Sequence, residues 1–139
     1  MKSSFISFCF SLLCITSSVF AQEVPGWLHG SWEGIGYQAP TNSAWQIELN
    51  YDGQNNSFSI NYPGLECSGN WQLLESKGNR LVFVEQITDG KDKCDNNVKV
   101  IVNYVDEDYI SVAYFLPEHI DNVVAHSVMK RKRKKIKKT

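Results

Sequence analysis

Two alternating apolar runs on either side of Ser76-Lys77-Gly78 constrain this chain more than any other stretch. From Tyr62 to Cys94 it reads YPGLECSGNWQLLESKGNRLVFVEQITDGKDKC, and period-2 alternation interrupted by a turn predicts a β-hairpin. A three-residue loop at Ser76, Lys77 and Gly78, with the glycine left-handed, sets Leu73 opposite Leu81, Trp71 opposite Phe83, Gly69 opposite Glu85 and Cys67 opposite Ile87. All of these fall on one face. A two-residue loop would set Trp71 against Val84 and turn Phe83 away, so the three-residue loop gives the better apolar face.

Cys67 and Cys94 flank this hairpin, and the polar turn from Asp89 to Lys93 can return Cys94 to the first strand. A disulfide there would contribute roughly 3–4 kcal/mol in the chain-entropy picture. Glu85 shares the face of Leu81 and Phe83, opposite a glycine that leaves it room. A buried carboxylate needs a partner or an opening to water. The structural partners on offer are Arg80, a tyrosine hydroxyl or backbone amides.

Met1–Ala21 reads as a secretory signal peptide: Lys2, an apolar run from Phe5 to Ile15, and a small-residue cleavage pattern ending Val19-Phe20-Ala21. Removing these 21 of 139 residues leaves 118, enough for one domain, expected over 22–129. The chain is then expected to be secreted or periplasmic. It retains two cysteines, which in an oxidising compartment read as a disulfide and not as metal ligands. The net charge of −1 hides a division. Fifteen acids lie between Gln22 and His126 against five bases, a net of −10, whereas KRKRKKIKKT at 130–139 carries eight bases and no acid, a net of +8. That tail lacks an apolar face and is expected to be disordered.

Elsewhere, Trp32, Gly34 and Gly36 share one face of a first strand. Trp45, Ile47, Leu49 and Tyr51 alternate along a second, and Phe58, Ile60 and Tyr62 along a third. After the hairpin, Val98–Val105 has its more apolar residues at even positions, Tyr109–Leu116 is apolar on both sides, and Val123–Met129 makes a last strand. Eight short strands joined by short loops predict an all-β antiparallel meander. Closing it into a small barrel removes both edges, and an eight-stranded barrel is either filled by side chains or holds one small ligand.

Gly30-Ser31-Trp32 resembles the G-x-W signature of the lipocalin and calycin barrels. That resemblance implies that Trp32 plugs one barrel end under a basic residue near the last strand, Lys130 or Arg131. A second pattern resembles a small bacterial extracytoplasmic β-barrel module: Tyr62-Pro63, Leu65, Cys67, Gly69, Trp71, Leu73, Arg80, Phe83, Glu85, Ile87, Gly90 and Cys94. It implies export and a barrel, and leaves the activity open.

The chemistry-bearing residues favour binding over catalysis. His29, His119 and His126 are scattered without ligand spacing, so no metal and no cofactor is expected. No G-x-S-x-G elbow occurs, and Glu33 and Glu48 point away from the tryptophan face, leaving Glu85 without a second carboxylate for glycoside hydrolysis. The chain therefore reads as non-enzymatic. Trp32, Trp45, Trp71 and Phe83, with Glu85 as polar contact, are the candidate ligand-binding residues, set against their plainer role as core. Lys130, Arg131, Lys132, Arg133, Lys134, Lys135, Lys137 and Lys138 suit an anionic membrane, glycan or nucleic acid, or a nuclear signal. The leading expectation is a secreted barrel that binds a small apolar ligand or a protein. The alternatives are an effector sent to a host nucleus by its tail, and an acidic inhibitor of a basic extracellular hydrolase such as a lysozyme.

Overall fold

The computed structural model describes residues 22–133. The expected signal peptide, and Lys134, Lys135, Lys137 and Lys138 of the expected tail, lie outside the described residues. Eight antiparallel strands form in chain order: β1 Ser31–Gln38, β2 Ser43–Asp52, β3 Ser57–Tyr62, β4 Cys67–Lys77, β5 Arg80–Asp89, β6 Val98–Tyr104, β7 Tyr109–Phe115 and β8 Ala125–Arg131. Each pairs with the next and β8 pairs with β1, so the meander closes into a barrel. The alternation explains the choice of faces. Ile47 and Leu49, Phe58 and Ile60, Val98, Val100 and Val102, and Ile110, Val112 and Tyr114 are buried, and their neighbours along each strand are more exposed.

The hairpin register differs from the expected one. Its loop has two residues, Gly78 and Asn79, with Lys77 paired to Arg80, and Gly78 takes φ +55° at the first central position. Glu75 then pairs with Val82 and Leu73 with Phe83, so Leu74 is an extra residue that bulges outward, half exposed. The bulge restores the parity. Leu81, Phe83, Glu85 and Trp71 face inward as expected, but Trp71 stands opposite Glu85 and Gly69 opposite Ile87. A second irregularity leaves Thr88 without a partner between the pairs Ser68–Asp89 and Gly69–Ile87. Gly69 is therefore not making room for Glu85. A Cβ there would lie 2.0 Å from the Gln86 carbonyl oxygen, so the close backbone approach at this bulge requires glycine.

The two barrel ends differ. At the end where β1 begins, a short 3₁₀ turn, Gly26–Leu28, crosses the opening, with Leu28 fully buried. Trp32 Nε1 donates to the Leu28 carbonyl at 3.0 Å, and the Trp27 and Tyr104 rings meet at 5.4 Å. Arg131 caps this end, its guanidinium carbon 4.1 Å from the centre of the Trp32 ring. Its nitrogens donate to the carbonyls of Trp27 (2.6 Å), Glu107 (2.8 Å) and His29. Of the two basic residues expected over Trp32, Arg131 holds that position, while Lys130 points outward on β8. β8 thus extends through Arg131, two residues into the segment expected to be a tail.

Candidate functional site

The opposite end is a cup. The loop from Gly90 to Asn97 folds over its edge, anchored by a disulfide between Cys67 and Cys94 with their Cα atoms 6.3 Å apart. Gly90, at φ +69°, makes that return possible: a Cβ would lie 2.4 Å from the Glu66 carbonyl oxygen. Lys93 forms an ion pair with Glu66 at the rim. Inside lies a cavity of about 450 Å³, walled by Trp45, Leu116 and Val124 and floored by Glu85, Tyr62 and Tyr114. Lys91, Asp92 and Asp95 complete its edge. Gly36 sets the wall, because its missing side chain lets the Trp45 ring lie where a Cβ would come within 2.6 Å.

Glu85 is 4 % exposed. The Tyr62 hydroxyl donates to its Oε2, as does Trp71 Nε1 at 2.7 Å across the β4–β5 pair. Arg80 is not a partner. It lies 3.6 Å from Glu75 on the outside. Burial pushes the Glu85 carboxyl above its ordinary range, outweighing the two donors that favour the ionised form, and the negative charge of Asp95 adds to the rise. Burial pushes the Tyr62 and Tyr114 phenols upward as well, so both stay neutral at ordinary pH. Their hydroxyl oxygens are 3.5 Å apart.

The five expected ligand-binding residues do not form one site. Trp45 and Glu85 line the cup, and Trp71 lies behind its floor, bonded to Glu85 and edge-on to Tyr114 at 6.3 Å. Phe83 lies beneath in the packed core, its ring 5.5 Å from Trp71 and 5.0 Å from Phe58. Trp32 is at the far end, under Arg131. Tyr62 and Tyr114 are not among the five expected ligand-binding residues, although a tyrosine hydroxyl is an expected partner of Glu85. Tyr62 alternates with Phe58 and Ile60, and that phase already turns its phenol inward, whereas nothing in the doubly apolar run 109–116 picks out Tyr114.

Among the basic residues, Lys132 lies 3.4 Å from Glu33 and 3.9 Å from Glu48, and Arg133 lies 2.6 Å from Asp108. The histidines stand apart: His29 stacks on Tyr51 at 4.7 Å and His126 meets Tyr37 edge-on at 5.8 Å. Among the described residues no three potential metal ligands come together. The chain matches no known protein family, and no curated protein or solved structure is significantly similar to it.

Proposed function

We propose that this chain is a non-enzymatic binding protein whose cup takes one small, largely apolar molecule. The observation that carries the reading is the asymmetry of the barrel. One end is filled by Leu28, Trp32 and Arg131, and the other keeps a cavity of about 450 Å³ open to solvent. Aromatic and aliphatic walls with one buried polar group on the floor are the usual anatomy of a small-ligand site. Arg131 over Trp32 is also the pairing expected from the lipocalin-like G-x-W resemblance, and it supports an exported, ligand-carrying barrel. The polybasic end is the proposed contact for an anionic membrane, glycan or nucleic acid. Arg131, Lys132 and Arg133 are engaged on the body, so that contact falls to Lys130 and to the lysines after Arg133.

A fluorescence titration with the neutral apolar probe 1-N-phenylnaphthylamine tests the cup. Saturable one-site binding is expected, unchanged by removal of residues 134–139 and weakened at least fivefold by Ala125→Phe, which fills the cavity. A folded barrel that gives no saturable signal would reject the reading.

A further inference from the structure

Glu85 is an acid without a counter-charge. The ion pairs among the described residues lie at Glu33, Glu48, Glu66, Glu75 and Asp108, and none involves Glu85. Lys93 at the rim is engaged with Glu66, and Lys91 beside it is exposed. Both protein donors to Glu85 go to Oε2. Oε1 accepts no hydrogen bond from any described residue and is not among the enclosed unpartnered atoms, so it is the oxygen that Glu85 presents to the cup. A wholly apolar occupant would strip water from that oxygen and return nothing.

The surroundings favour a positive group. The rings of Tyr62, Tyr114 and Trp45 line the cavity together with Glu85, and aromatic faces attract a cation. At the mouth the acids Asp92 and Asp95, with Glu66 paired to Lys93, outnumber Lys91 and Lys93 by one negative charge. A ligand carboxylate would meet Glu85 at close range as a like charge. A neutral hydroxyl would satisfy Oε1 but leave the charge unbalanced.

We propose that the ligand is a small organic amine bound as its cation, with the ammonium group donating to Glu85 Oε1 and an apolar body along Trp45, Leu116 and Val124. The proposal rests on the reading of the cup as a ligand site.

Calorimetric titration of the full mature chain with phenethylamine, 2-phenylethanol and 3-phenylpropionate separates the two claims. Phenethylamine is expected to bind at least tenfold more tightly than the alcohol, and the carboxylate most weakly. Glu85→Gln is expected to bring the amine down to the alcohol's affinity. In the unsubstituted protein, the Glu85 ¹³Cδ resonance is expected to shift with the amine far more than with the alcohol. That readout does not depend on the variant folding. If the alcohol binds as tightly as the amine while Ala125→Phe weakens both, the cup stands and the cationic ligand is wrong. Preferred binding of the carboxylate would also overturn the amine. Binding of none of the three, together with no signal from the apolar probe, would overturn the cup as well.

Discussion

Trp71 and Glu85 face one another across β4 and β5, and the indole Nε1 donates to the carboxylate Oε2 at 2.7 Å. This pair joins the packed half of the barrel to the open half. The Trp71 ring packs on Phe83 below, and Glu85 presents its other oxygen to the cavity above. The same pair therefore links core stability to ligand chemistry.

The raised Glu85 carboxyl gives stability a definite pH dependence. Between the ordinary carboxyl value and the raised one, the folded chain holds a proton that the unfolded chain has lost. Stability should therefore fall as pH rises through that window and level off above it. The phenols facing Glu85 do not reverse the sign, because Tyr62 and Tyr114 stay neutral and Trp71 does not titrate. Glu85→Gln removes this loss. Urea unfolding should find the variant more stable than the parent at about pH 8 and no more stable at about pH 4. Equal differences at both values would contradict the assignment.

Gly69→Ala should destabilise the barrel by about 2 kcal/mol or more, because its Cβ would meet the Gln86 carbonyl and not a side chain that can move away. Denaturant midpoints measure this. A cost below about 0.5 kcal/mol would mean that the strands are not this close at the bulge.

Arg131→Ala should cost about 2–3 kcal/mol, since it removes a cation from the Trp32 face and three charged donors from carbonyls of two separate segments. Arg131→Lys should recover less than half of that, because an ammonium group cannot span those carbonyls. Truncation after Arg133 should leave the midpoint nearly unchanged. Equal stability of the lysine variant and the parent would contradict the cap.

Replacing Cys67 and Cys94 together by serine should lower stability by roughly 3 kcal/mol. It should also weaken ligand binding, because the loop that the disulfide anchors supplies the cup's edge. Unchanged affinity in a folded double variant would detach that loop from the site.

Much of the fold can be read from alternation alone, because a half-buried strand must place one side chain in two on the core. The strands and the inward set of the hairpin follow from it, and the Cys67–Cys94 bridge follows from two cysteines left on either side of that hairpin. The register does not. Gly78-Asn79 is a good two-residue turn, yet a regular ladder built on it puts Phe83 opposite Leu74 and turns Trp71 outward; only the bulge at Leu74 reconciles turn and face, and no residue type announces it. The site was legible in part for a similar reason. Glu85 stands out as a charge in an apolar phase, but which end stays open depends on the turn at Gly26–Leu28 folding across the other. That contact is tertiary and has no local pattern.

Which end of the barrel is hollow decides where a ligand can sit, and indole N–H signals in a ¹H–¹⁵N spectrum report on both ends at once. On titration with phenethylamine, Trp45 at the mouth and Trp71 on Glu85 should shift and saturate together, while Trp32 under Arg131 should stay in place. A shift at Trp32 with Trp45 silent would put the opening at the wrong end and contradict the account.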